Sequence, residues 1–282
     1  MPQIITLIAG PGAEEVLREC VASLGGTIEW LAPNACDIAS VTEEATRASV
    51  GERPIDIVVQ PADGRRKKLL VADLESTIIE NEMLEELADF LGLRAPVAEI
   101  TRRAMNGEID FVGALTERVA LLCGMPERLL GEAAARIRVM PGARTLIATL
   151  RRAAVTTALV SGGFTVFAER IAAELGFDRV VANRLNVAGG KLTGTVSLPI
   201  VTAATKRDTL VALAGELGIG LDATLAVGDG ANDLPMLQTA GLGIAFRAKP
   251  AVAAAAQHRI DQADLTALLY AQGYRQEEIV ST

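Results

Sequence analysis

Apolar positions in the first part of the chain come in short runs. Residues 4–8 read as a strand, 14–24 as a helix stopped by Gly25-Gly26, and 27–31, 36–41 and 55–59 as further strands. Pro61-Ala62-Asp63-Gly64 reads as a turn or linker, so 1–66 is expected to form a small α+β module of its own. A continuous apolar run, Leu69-Leu70-Val71-Ala72, then reads as a strand buried on both faces. Across 81–139 the period becomes helical. Met83, Leu84, Leu87, Ala88 and Leu91 mark one apolar face, Pro96 opens a helix through Met105, Asp110 caps 111–123, and Pro126 opens another.

Strands and helices alternate again after 140. Helix 142–152, strand 155–160, helix 164–175, a hairpin over 180–196, helix 204–217, strand 224–227, a helix from 234 and strand 242–246 are expected. The fold class is α/β: a parallel-sheet core from 67–80 and 140–282, with 81–139 as an inserted helical cap over the strand ends.

Composition narrows the chemistry. Half of the 282 residues are hydrophobic, enough for more than one domain, and a net charge of -8 argues against nucleic-acid or anionic-membrane partners. Arg65-Arg66-Lys67-Lys68 reads as a solvated turn. No apolar run reaches the roughly 18 residues of a membrane helix, and no secretory pattern opens the chain, which points to the cytoplasm. Cys20, Cys36 and Cys123 form no metal or disulfide spacing, and Cys123 reads as a small core residue. His258, the one histidine, reads as a surface residue in a helix, leaving carboxylates, lysine and hydroxyls to do any catalysis.

Three strand-like runs end in polar residues: Asp73, Ser161 and Asp229. Ligands of open parallel sheets bind beyond such ends. Alone, Asp73-Leu74-Glu75 would pass for solvated charge and Gly228-Asp229-Gly230 for a turn, so their convergence is the signal. Asp73, Glu75, Asp229 and Asp233 in one pocket would repel one another, and Mg²⁺, a hard oxygen-seeking cation, would relieve that. Ser161-Gly162-Gly163 before a helix offers N–H groups to phosphate oxygens, and Lys206 adds positive charge. Phosphoryl transfer is implied, with Asp73 as nucleophile and Glu75 as acid and then base.

Asp73 to Thr77, Val160-Ser161-Gly162-Gly163-Phe164, Ala182-Asn183-Arg184-Leu185, Gly190-Lys191-Leu192-Thr193-Gly194, Lys206 and Val227 to Asp233 together resemble the haloacid dehalogenase superfamily, more narrowly its phosphoserine phosphatases, over 69–275. The resemblance implies Mg²⁺ on Asp73, the backbone carbonyl of Glu75 and Asp229, with Asp233 in support. It implies Asn232 and the Gly162 backbone on the substrate. Glu82 would meet the ammonium of L-phosphoserine and Arg118 its carboxylate, between apolar walls from Met105 and Phe111. Read without it, Glu82 is a dipole-favoured acid, Arg118 a solvated helix residue, and Met105 and Phe111 core. The family has Asp where Glu75 stands. The extra bond, roughly 1.5 Å, is expected to be absorbed, with Glu75→Asp keeping or raising activity. The first 66 residues resemble an ACT-like module, implying amino-acid sensing or a homodimer; a packing appendage is the plainer reading. A sibling phosphatase for phosphohomoserine or phosphothreonine, and an amino-acid-binding regulator that has lost turnover at Glu75, stay open. Dehalogenation has no use for the Asp229/Asp233 arrangement.

Overall fold

Along Leu69–Ala72, Leu70 and Ala72 join one apolar cluster while Leu69 and Val71 join another, because layers cover both faces of this strand. The computed structural model describes residues 3–105 and 108–282. Its first part comprises β1 (Gln3–Ala9), α1 (Glu14–Leu24), β2 (Thr27–Ala32), β3 (Ala35–Ala39), α2 (Glu43–Val50) and β4 (Ile55–Pro61). β5 (Leu69–Ala72) leads into α3 (Met83–Phe90), α4 (Arg94–Met105), α5 (Phe111–Ala120) and α6 (Arg128–Ala134). Then follow α7 (Ala143–Arg152), β6 (Thr156–Phe164), α8 (Thr165–Leu175), β7 (Arg179–Asn183), β8 (Leu185–Ala188), β9 (Lys191–Val196) and α9 (Ala203–Glu216). The last elements are β10 (Thr224–Gly228), α10 (Leu234–Thr239), β11 (Leu242–Phe246), α11 (Pro250–Ala255), β12 (His258–Ile260) and α12 (Ala267–Ala271). Among the described residues no helix is long and apolar enough to cross a membrane.

Six parallel strands form the main sheet in the order β12-β11-β10-β5-β6-β7. The chain leaves β5 toward β6 and β7, then returns on the other side through β10, so the order reverses at the β5–β10 pair. That reversal opens a crevice beyond the strand ends. The helices α3 to α6 follow β5. The β8–β9 hairpin joins them: Leu192 N–H donates to Met125 O and Gly124 N–H to Leu192 O, each at 2.9 Å.

The first sheet, in the order β2-β3-β1-β4, is antiparallel. Ile5, Leu7 and Ala9 of β1 pack with α1, whereas Ile8 and Val58 join the main core. Both faces of β1 are therefore covered, while the edge strand β2 is exposed over its first four residues.

Several local readings need correction. The Arg65–Lys68 run is not a solvated turn. Arg65 Nη1 lies 2.6 Å from Asp37 Oδ2, and its Nη2 donates to Thr6 Oγ1 and to the Ala271 carbonyl at the end of α12. Lys67 is buried and donates to the carbonyls of Gly64 and Asp222, each at 2.8 Å. Arg66 lies over the Tyr274 ring, and Lys68 is exposed. Unsatisfied carbonyls at a helix end attract such cations, and no local pattern announces them. His258 lies in β12, opposite Ile244, half-buried rather than on a helix surface. Cys123 is exposed because α5 ends at Ala120 and a turn follows. The expected hairpin over 180–196 has its first arm divided at Arg184, into β7 of the main sheet and β8, which pairs with β9. α2 was not expected, although Thr42 caps it by accepting from Ala45 N–H at 3.2 Å. Leu91 stands outside α3 and is exposed, while Met83, Leu84, Leu87 and Ala88 are buried as the periodicity requires.

Candidate active site

β5 ends against β10, with Asp73 N–H donating to Val227 O at 3.0 Å, and this fixes Asp73 at the reversal. α9 begins at the Thr202–Thr205 capping box and carries Lys206 inward. Lys206 is 1% exposed, with Nζ 2.5 Å from Asp73 Oδ1 and 2.7 Å from Asp233 Oδ1. The other oxygen of Asp233 accepts from Gly230 N–H at 2.9 Å, so the Gly228–Asp233 turn folds back on its own carboxylate.

Carboxylate oxygens of Asp73, Asp229 and Asp233, all buried, lie within 4.8 Å of one another. Burial pushes Asp73 up to about 7 against the pull of Lys206, with Asp233 and Asp229 adding to the rise. Burial likewise pushes Asp229 up to about 6, although Lys249 Nζ at 3.7 Å opposes it. Burial disfavours charge on Lys206, but Asp73 and Asp233 more than offset this and keep it protonated. One buried ammonium does not balance three acids. The oxygen-only donor set and the surplus of negative charge suit a hard divalent cation.

Glu75 reaches out of the turn after β5. Its Oε1 accepts from Met83 N–H at 2.8 Å, at the first position of α3. Burial pushes its carboxyl up to about 8, helped by the charge of Glu82 and opposed by the Met83 N–H. A group in that range is protonated near neutral pH and can act as a general acid.

Ser161 closes the same pocket from β6. Its Oγ accepts from Gly163 N–H at 2.9 Å. Asn183 Nδ2 donates to Gly162 O at 2.7 Å while its Oδ1 accepts from Val201 N–H, so the end of β7 props the glycine turn. The Phe111 ring covers Gly162 closely enough that a Cβ there would come within 3.0 Å of Cζ. Glu82 accepts from Ser76 Oγ at 2.8 Å. Arg118 donates through Nε to Ala114 O; burial lowers its pKa, and Glu75, Glu82 and Glu85 pull it back up.

These side chains line one cavity of about 160 Å³: Asp73, Glu75, Glu82, Phe111, Arg118, Ser161, Gly162, Asp229 and Asn232. Lys206 and Asp233 lie behind it, with Lys206 in contact with both Asp73 and Asp233. The side chain of Met105 lies outside the described residues. Larger clefts of about 510 and 700 Å³ exist elsewhere, but neither contains the buried carboxylates. Residues given no site role from the sequence also line the pocket: Leu84, Leu115, Phe164 and Lys249. Lys249 stands three residues beyond the end of β11, so the strand-end rule that marks Asp73 and Asp229 points to its loop but not to it. Asn183 carried no local signal beyond its place in a familiar run.

The chain matches the haloacid dehalogenase-like hydrolase model over residues 70–238. It is 42% identical over 238 residues to a phosphoserine phosphatase of Streptomyces coelicolor, covering 84% of this chain and 58% of that protein. The chain thus spans less than two thirds of that relative's length. A crystal structure of a HAD family hydrolase from Salmonella enterica subsp. enterica serovar Typhi superposes with a TM-score of 0.85 at 30% identity, covering 95% of this chain and 97% of that one. A phospho-aspartyl intermediate analogue of phosphoserine phosphatase superposes with a TM-score of 0.68 at 40% identity, covering 72% and 98%.

Proposed function

Since the chain belongs to the haloacid dehalogenase-like hydrolase family, we propose that it hydrolyses L-phosphoserine to serine and phosphate, with Mg²⁺ as its metal. One observation carries the substrate choice: Glu82 and Arg118 line the same cavity as Asp73 and Ser161. An anionic and a cationic side chain facing a pocket suit the ammonium and carboxylate of an amino acid, while its ester phosphate lies toward Asp73. The names of the Streptomyces relative and of the intermediate-analogue structure support the same substrate and a phosphorylated aspartate.

In this reading Asp73 Oδ2 attacks phosphorus, since Oδ1 is held by Lys206. A P–O bond forms to Asp73 as the ester P–O bond breaks. Glu75 gives its proton to the departing serine oxygen, then takes one from the water that hydrolyses the aspartyl phosphate. Ser161, the Gly162 backbone, Lys206 and Asn232 hold the phosphoryl oxygens. Phe111 supplies an apolar wall. Asp73, Asp229 and the backbone carbonyl of Glu75 would hold the metal, with Asp233 in support. Mg²⁺ bound there supplies charge neutralisation for phosphoryl oxygens and acids alike.

The helices of 81–139 serve as a cap over the core of 67–80 and 140–282, and 1–66 as an ACT-like regulatory module. Homodimerisation through that module is supported by the exposed Ile28 and Trp30 of its edge strand β2. A cytoplasmic location is in keeping with three free cysteines.

The test is a panel of phosphorylated amino acids and sugars with and without Mg²⁺. Preferential, Mg²⁺-dependent phosphate release from L-phosphoserine is expected. Faster turnover of phosphohomoserine, phosphothreonine or a sugar phosphate overturns the substrate, and no turnover of any ester overturns the hydrolase.

A further inference from the structure

Glu82 occupies the N-cap position of α3 but makes no side-chain cap bond there. The first N–H of that helix is taken instead by Glu75, eight residues earlier and outside the helix. The position of the rest of that carboxylate follows from Gly163. A Cβ there would come within 2.8 Å of Glu75 Oε2 and 3.1 Å of Oε1, so the group lies flat against the glycine turn, with Oε2 the nearer oxygen. Oε1 thus meets the start of α3, and both oxygens lie over the turn where Ser161 and Gly162 line the cavity, Oε2 the closer of the two.

We propose that the Met83 N–H is a positioning group for Glu75, holding Oε1 at the start of α3 so that Oε2, over Gly163, serves the leaving oxygen. The extra methylene is what makes this possible. An aspartate carboxylate would begin roughly 1.5 Å nearer the backbone and could not span from Met83 to the glycine turn. The pocket is built around glutamate, the opposite of what the family pattern alone leads one to expect. The arrangement also ties the first cap helix to the proton donor, since a shift of α3 carries Glu75 with it.

This inference rests on the phosphatase reading only for its kinetic arm. The other arm is exchange of the Met83 amide, followed by NMR in wild type, Glu75→Asp and Glu75→Gln. Glutamine keeps both the reach and an accepting oxygen. Exchange at least about tenfold faster in Glu75→Asp, with Glu75→Gln close to wild type, is expected for loss of this hydrogen bond. Equal exchange in wild type and Glu75→Asp overturns the proposal whatever the substrate.

For the kinetic arm, Met83→Pro and Met83→Ala delete the same buried side chain, but only proline deletes the N–H. The first helical position accommodates proline, and Glu82, at φ -102 and ψ 101, is extended and clear of the α region that a following proline disfavours. With L-phosphoserine and Mg²⁺, kcat of Met83→Pro is expected to lie about tenfold or more below that of Met83→Ala, with KM nearly unchanged. Equal kcat values overturn the proposal. If Met83→Pro does not fold, Glu75→Asp replaces it, with a kcat loss on the order of 100-fold expected and wild-type kcat overturning. A wild-type protein that hydrolyses no ester sinks the phosphatase reading, and the exchange result then decides this one.

Discussion

Lys206 Nζ lies 2.5 Å from Asp73 Oδ1, with both side chains buried. Removing the lysine leaves two acids buried without their counter-charge, since Asp233 shares it. Lys206→Met is expected to destabilise the metal-free protein by about 3–5 kcal/mol. Urea unfolding with and without Mg²⁺ checks this, and the loss should shrink when Mg²⁺ is present.

Asp73→Asn removes the attacking oxygen anion at nearly constant volume. Turnover of L-phosphoserine should vanish while the melting transition remains. Acid-quenched reactions with radiolabelled substrate should leave label on the wild-type chain and none on the variant. Labelling of Asp73→Asn would refute the assignment.

Chelation should separate metal from fold. EDTA-treated protein is expected to lose turnover and regain it with added Mg²⁺. Asp229→Asn should need a higher Mg²⁺ concentration for the same rise in melting temperature, since one of three gathered carboxylates is lost.

Substrate recognition should fail separately from chemistry. Arg118→Ala or Glu82→Gln is expected to lower kcat/KM for L-phosphoserine by roughly 10- to 100-fold, the value of a charged hydrogen bond. Turnover of p-nitrophenyl phosphate, which lacks the amino-acid end, should change little. Equal losses on both substrates would remove these side chains from recognition.

His258 gives a pH signature of its own. Burial lowers its pKa below the ordinary 6.5, helped by Arg47 and Lys67 and opposed by Glu43. Below pH 6.5 the unfolded chain therefore binds this proton more readily than the folded one. The stability contribution is complete above that pH and is lost as pH falls toward the depressed value. Between pH 8 and pH 5, His258→Gln should lose less melting temperature than wild type. The buried carboxylates titrate alike in both proteins, so the difference isolates the histidine.

The main sheet was legible because Leu69–Ala72, Thr224–Gly228 and Leu242–Phe246 are buried on both faces and carry near-continuous apolar runs in alternation with helices. The polar residues ending the first two could be read as ligands to something. Asp110 was legible as a cap because capping is local; its side chain does accept from Gly113 N–H at 2.7 Å. Arg65 was not legible, because its partner carbonyl at Ala271 is 206 residues away. His258 failed for the same reason: a three-residue strand is defined by its neighbour β11, not by its own pattern. Arg118 needed tertiary context too, since nothing in α5 distinguishes a helix face turned to a cavity from one turned to water.

Asp56 accepts from the N–H groups of Asp261, Gln262 and Ala263, and Arg247 donates to Ala263 O, two residues from Lys249 at the cavity wall. The amino-terminal sheet is thus stitched to the stretch that borders the reaction chamber. Trimming the chain before Leu69 would strand those amides and several helix-end carbonyls, and would yield a weakened enzyme rather than a minimal one.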